Sequence, residues 1–96
     1  MKITPSEISI TVVGLGYVGL PTALAFHKAG FSVSGVDISD SVVSKINSGA
    51  IPFFDESLEE KIPIESDRWK VTTDYGMVIP DSDIVLITVP TPVTKN

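Results

Sequence analysis

"TVVGLGYVGLP", residues Thr11 to Pro21, places three glycines and a proline in a run that is otherwise almost wholly apolar. The segment leading into it, ISITVVG (Ile8 to Gly14), is β-branched and stops at a glycine, which is the pattern of a strand. The segment leading out, YVGLPTALAFHKAGF, carries Leu20, Ala23, Leu24 and His27 at helical spacing. Lys28 falls in its last turn and Gly30 just beyond, where a left-handed cap belongs. The glycines therefore sit at a turn between a first strand and a first helix. Pro21 falls in the helix's first turn, where its missing N–H costs little.

Outward from this turn the same alternation continues. FSVSGVD (Phe31 to Asp37) alternates apolar and small polar residues and ends on an acid, as a second strand. SDSVVSKINSG offers Ser39 as an N-cap, Val42, Val43 and Ile46 as a buried stripe and Gly49 as a stop. IPFFDESLEEKIP begins as a loop, after which Asp55 caps a short acidic helix ending before Pro63. RWKVTTD (Arg68 to Asp74) reads as a third strand, and Asp74 as the cap of one or two helical turns through Val78. The last strand spans roughly Asp83 to Val89 and is stopped by Pro90 and Pro92.

Strands separated by helices need crossovers, and crossovers give a parallel sheet. Right-handed connections put the second strand beside the first, the third outside the second and the last on the other flank of the first. The expected fold is α/β, a Rossmann-like parallel sheet of order 3-2-1-4 with flanking helices. The last strand is apolar on both alternating faces, as in a strand covered on both sides.

GLGYVG fits G-x-G-x-x-G with Gly14, Gly16 and Gly19, and Asp37 stands 18 residues beyond Gly19. That is close to the ~20-residue spacing of a dinucleotide site. Gly14 lets the chain turn off the strand, Gly16 lets a pyrophosphate approach the backbone and Gly19 lets the helix pack closely. The helix N-terminus then offers free N–H groups and roughly half a positive charge to the anion. Asp37 accepts hydrogen bonds from the adenosine ribose. It faces a 2′-phosphate unfavourably, with no Arg nearby to compensate, so NAD is expected over NADP. Two other readings stay open: a tight turn with no ligand, and an adenosyl-methionine site, which also uses a glycine-rich loop and an acid after the second strand. Asp37 itself is alternatively a helix cap before Ser39.

The chain has 96 residues, 43% hydrophobic and 20% charged, which suits one small globular domain. Its net charge of −5, with no cluster of Lys or Arg, argues against nucleic acid and against an anionic membrane surface. There is no Cys, hence no disulfide, thiolate metal site or thiol nucleophile. The N-terminus lacks the apolar core of a signal peptide, and the longest apolar run is too short to span a bilayer. A cytoplasmic protein is expected. His27, the sole histidine, has no partners for a metal and reads as a packed helix residue; Trp69 reads as a packed residue opening the third strand. Asp55, Glu56, Glu59 and Glu60 read as a solvated helix face, and Asp81 and Asp83 flank the start of the last strand.

GLGYVGLP together with VPTP at the end of the last strand resembles the UDP-glucose/GDP-mannose dehydrogenase family. Val36–Asp37, INSG (Ile46 to Gly49) and TTD (Thr72 to Asp74) are similar to that family too, over about residues 8 to 94. Members oxidise the C6 hydroxyl of a nucleotide sugar to a carboxylate in two hydride transfers to NAD. The resemblance implies that Tyr17 and Val18 lie along the pyrophosphate, that Asp37 is the ribose ligand and that Thr91 lies on the nicotinamide side. The alternative for the PTP stretch is a rigid strand terminator. Val42 stands where relatives often carry Lys or Arg, and PFFDESLEE lacks a Glu-Pro pair common among them.

The family's nucleophilic Cys belongs to later segments. The expectation is that residues 1–96 form a partial dinucleotide-binding domain, without catalytic residues, of an enzyme whose nucleotide-sugar site lies elsewhere. The alternative is a free-standing nucleotide-binding or interaction module without catalysis. Ending the sheet at its fourth strand leaves an apolar edge. Along that edge two copies are expected to pair, forming a homodimer, or the C-terminal residues to fold over it.

Overall fold

Every element expected between residues 8 and 50 forms within a residue or two of its expected bounds. The computed structural model describes residues 4–53 and 61–88. After a short 3-10 turn at Pro5–Glu7 come β1 (Ser9–Val13), α1 (Gly19–Lys28), β2 (Ser32–Val36) and α2 (Asp40–Asn47). β3 (Trp69–Thr72), α3 (Tyr75–Val78) and β4 (Ile84–Ile87) follow. The acidic helix expected after Asp55 lies outside the described residues, as do Pro90, Thr91 and Pro92.

The sheet is parallel throughout, in the order β3-β2-β1-β4. Parallel partners at one register position share a face, so Ile10, Val33, Trp69 and Ile84 line one side. On that side Ile10, Val12, Val33, Trp69 and Val71 join Leu20, Ala23 and Leu24 of α1 and Val43 and Ile46 of α2 in one core. Leu20 and Ile46 are fully buried, each contributing about 2 kcal/mol by leaving water. The opposite side carries Thr11, Ser34, Lys70 and Val85 and is more polar. Thr11 is the one fully buried polar side chain among the described residues. Its hydroxyl meets Ser82 Oγ, which donates to the Val78 carbonyl at the end of α3 (2.7 Å).

Local signals explain the helix ends. Ser39 Oγ accepts the N–H of Val42 (3.2 Å), so the expected N-cap of α2 forms. Gly30 and Gly49, just past α1 and α2, stand at φ 105° and 91°. Asp74 differs from expectation. It occupies the N-cap position of α3, but its carboxylate makes no capping bond; its carbonyl accepts the N–H of Met77 instead (3.2 Å). Asp83 does hold the start of β4. Its carboxylate accepts the N–H of Ser9 (2.8 Å) and its N–H donates to the Ser9 carbonyl (2.8 Å).

β4 departs from the covered strand its apolar faces imply. Ile84, Val85 and Ile87 are exposed, and among the described residues β4 has β1 on one side and no strand on the other. The burial that its sequence is written for is not supplied by the described residues.

Candidate functional site

Three consecutive pieces of backbone meet at the carboxyl end of the sheet: the turn after β1, the end of β2 and the end of β4. Register places Val13 beside Val36 on one flank and beside Ile87 on the other. The chain reverses its direction across the sheet between β1 and β4, and such a switch point is where open α/β sheets bind ligands.

The glycine turn is shaped by contacts from residues far away in sequence. Gly14 stands at φ 93°, donates its N–H to the Val36 carbonyl (2.8 Å) and has its own carbonyl held by Thr88 Oγ1 (2.7 Å). A Cβ on Gly14 would lie 1.9 Å from the Thr88 carbonyl oxygen. A Cβ on Gly19 would lie 1.6 Å from the Gly14 carbonyl oxygen and 2.5 Å from Thr88 Oγ1. Gly19 thus serves a close approach, but to the turn and the end of β4 rather than to the strands beneath α1. Gly16 is different, because a Cβ there would meet no atom of the described residues within 4 Å. The fold itself does not need Gly16 to be bare.

Beyond Gly16 the backbone is rich in free donors. The N–H groups of Leu20 and Thr22 go to the carbonyls of Gly16 and Val18. Among the described residues, those of Gly16, Tyr17, Val18 and Gly19 meet no acceptor, and no side chain caps α1. The result is a cluster of aligned N–H dipoles at the positive end of a ten-residue helix. Tyr17 and Val18 are exposed, and the Tyr17 ring lies against Phe53 with centroids 4.4 Å apart. Leu15, by contrast, is buried and anchors the turn by packing over Gly35 of β2.

Asp37 follows the last residue of β2 and is half-buried. Its Oδ2 accepts the N–H of Leu15 (2.9 Å) and its Oδ1 accepts the N–H of Ser39 (2.9 Å). Both readings of this acid have a counterpart here: it shapes the turn before α2 and it borders the glycine turn. Each oxygen keeps a second lone-pair direction for another donor. Ile38, which sequence reasoning passed over, stands 82% exposed directly after it. Its exposure is visible only in the structure; the sequence offered no signal beyond its place directly after Asp37.

The structure therefore brings Gly14, Gly16, Tyr17, Val18, Gly19 and Asp37 to one edge and adds Thr88 and Ile38 to them. Thr91 lies outside the described residues. Among the described residues no His, Cys, Asp or Glu cluster suits a metal, and no helix is long and apolar enough to cross a membrane. His27 stands away from this edge. It bonds Ser66 Oγ (2.8 Å) and meets the buried Trp69 edge-on, with Arg68 bonded to its carbonyl (3.1 Å). Burial, and then the nearby Arg68 guanidinium, hold its imidazole below the usual pKa of histidine.

The chain is similar to several known proteins. UDP-glucose 6-dehydrogenase AglM of Haloferax volcanii is 34% identical over 90 residues, 93% of this chain and 21% of that protein. GDP-mannose 6-dehydrogenase of Pseudomonas savastanoi pv. phaseolicola is 38% identical over 89 residues, 91% of this chain and 20% of that protein. The GDP-mannose dehydrogenase of Pseudomonas aeruginosa, solved as a ternary complex, superposes with a TM-score of 0.80 at 36% identity, over 90% of this chain and 20% of that one. The chain thus spans about a fifth of the length of these relatives. Residues 8–96 match the sequence model of the UDP-glucose/GDP-mannose dehydrogenase family, NAD binding domain. On the match, the sheet order and the glycine turn together, the chain belongs to that family as its NAD binding domain.

Proposed function

We propose that the glycine turn and Asp37 hold NAD for an enzyme that oxidises the C6 hydroxyl of a nucleotide sugar to a carboxylate. The observation that carries this reading is Gly16: among the described residues it is bare where no protein atom approaches, and it is flanked by N–H groups without acceptors. A diphosphate fits that space, its oxygens taking the N–H groups of Gly16, Tyr17, Val18 and Gly19. The open lone pairs of Asp37 accept the adenosine ribose hydroxyls, and Ile38 offers an apolar surface to the adenine ring. A 2′-phosphate would meet the Asp37 carboxylate, so NAD is preferred over NADP. Thr91 borders the nicotinamide, which when bound accepts hydride from the sugar carbon.

This domain's own part is to bind and orient. In this reading residues 1–96 are a partial dinucleotide-binding domain. The nucleophile and the sugar site come from outside these residues, in line with the absence of Cys. A cytoplasmic setting goes with a diffusible cofactor and substrate. We also propose that the outer edge of β4 pairs with that of a second copy. The exposed Ile84, Val85 and Ile87 and the outer backbone row of β4, which no other described strand pairs, support this, because a two-fold axis satisfies both rows at once.

Calorimetric titration with NAD tests the cofactor assignment, with NADP and adenosyl-methionine as controls. Binding of NAD in preference to both is expected. Preference for adenosyl-methionine, or no heat with any of the three, would overturn it.

A further inference from the structure

Thr88, the residue after β4, makes more contacts with the glycine turn than any motif at that position announces. Its N–H donates to the Val13 carbonyl (2.7 Å), which extends the β1–β4 ladder by one bond. Its hydroxyl then reaches sideways to the carbonyls of Gly14 (2.7 Å) and Val13 (3.1 Å). Its oxygens are also the atoms that forbid a Cβ at Gly14 and crowd one at Gly19. Both glycines are therefore bare partly because Thr88 occupies the space between them.

We propose that the Thr88 hydroxyl is a positioning residue for the diphosphate. It binds nothing itself but fixes the Gly14 carbonyl and so, with the Leu15–Asp37 bond, the Gly14–Leu15 peptide plane from which the rest of the turn departs. The chemistry of that carbonyl makes the need clear. Its oxygen is wedged against Gly19, at the mouth of the positive end of α1. A carbonyl oxygen is a negative pole, and one turned freely towards an incoming anion opposes it. Donation from Thr88 offsets that charge and holds the oxygen to the β4 side. The same bond ties the turn to the far flank of the switch point, so β1 and β4 present their ends as one rigid wall.

The proposal rests on the cofactor reading above for its ligand, but not for its geometry. Thr88→Val keeps the shape and removes the donor; Thr88→Ser keeps the donor and loses only a methyl group. In the full chain, T88V is expected to weaken ADP by about tenfold while T88S stays within about twofold of the unchanged protein. Adenosine, which has no phosphate, is expected to bind both variants alike. A purely stabilising role for Thr88 would lower the melting temperature without separating ADP from adenosine. Should T88V not fold, Thr88→Ala removes the same donor without placing a methyl group against the carbonyl. Amide NMR shifts supply the ligand-free readout: T88V should move those of Gly14, Gly16 and Gly19, and T88S should restore them. Equal ADP affinity in T88V and the unchanged chain, or a T88S as weak as T88V, overturns the proposal. If the unchanged chain takes up no ADP, the cofactor reading falls. The amide shifts then decide the clasp, which is overturned if T88V leaves them in place.

Discussion

The carboxylate of Asp37 accepts the N–H of Leu15 at 2.9 Å, so the end of β2 holds the turn that leaves β1. One side chain thus shapes the glycine turn and, in the proposed function, grips the ribose. Asp37→Ala is expected to remove two backbone bonds, lowering folding stability by about 2 kcal/mol. It should also weaken NAD by at least about tenfold and narrow the gap between NAD and NADP. Urea denaturation and calorimetry measure the two effects separately. Unaltered titrations with both cofactors would refute the ribose role even if stability drops.

The three glycines should respond differently to alanine. Gly19→Ala drives a methyl group into the Gly14 carbonyl and is expected to cost about 3 kcal/mol or more. Gly16→Ala meets no atom of the described residues and should leave stability within about 0.5 kcal/mol, while sharply reducing NAD binding. Full cofactor affinity in G16A would show that nothing needs the space above Gly16.

Ile38 gives a third, independent handle on the cofactor. Ile38→Ser removes an exposed apolar surface and so should not reduce stability. NAD affinity is expected to fall by about threefold to tenfold as the adenine loses its apolar neighbour. Equal loss for a ligand without adenine, such as nicotinamide mononucleotide, would contradict that placement.

His27 makes stability depend on pH. Its folded-state pKa lies below the ordinary 6.5, because burial and Arg68 disfavour the charged ring. The unfolded chain therefore binds a proton first as pH falls. Stability is full above 6.5 and declines as pH drops from there to the lower folded-state pKa. Melting temperatures across that window should fall for the unchanged chain, and fall less for His27→Gln.

The edge of β4 supplies the last test. Light scattering is expected to find a dimer for the unchanged chain, and a monomer for Ile87→Lys, whose charge opposes pairing along the edge. A unchanged chain that scatters as a monomer at high concentration rules the pairing out.

Much of this was legible in the sequence, for a physical reason. The signals that fix β1, α1, β2 and α2 are local: β-branched alternation, helical spacing, Ser39 as a cap and Gly30 and Gly49 as stops. The glycine spacing and Asp37 were likewise readable, because turn and acid are neighbours through a single β-α-β unit. What escaped reading depends on contacts across the sheet. Thr88 meets Gly14 from 74 residues away, and no periodicity encodes that. The stacking of Tyr17 on Phe53 is of the same kind. Asp74 stands at the N-cap of α3 as its place before a short helical run suggests, but whether its side chain closes the cap bond was not legible. The faces of β4 were read as covered, since apolar residues state what a strand is suited to bury and not what is there to bury it.

The bond from Thr88 to Gly14 has a consequence for how the protein comes into being. The first glycine of the turn leaves the ribosome early, but the hydroxyl that settles its carbonyl is made 74 residues later. Contacts of such long sequence separation form late and slow the search for the native state. During synthesis the early β-α-β unit precedes its clasp, so a nascent chain lacking β4 carries the whole fingerprint and an unset pocket. In the proposed reading, competence for the ligand is thereby tied to the arrival of β4, and a nascent chain short of residue 88 would form its first β-α-β unit with the turn still unclasped.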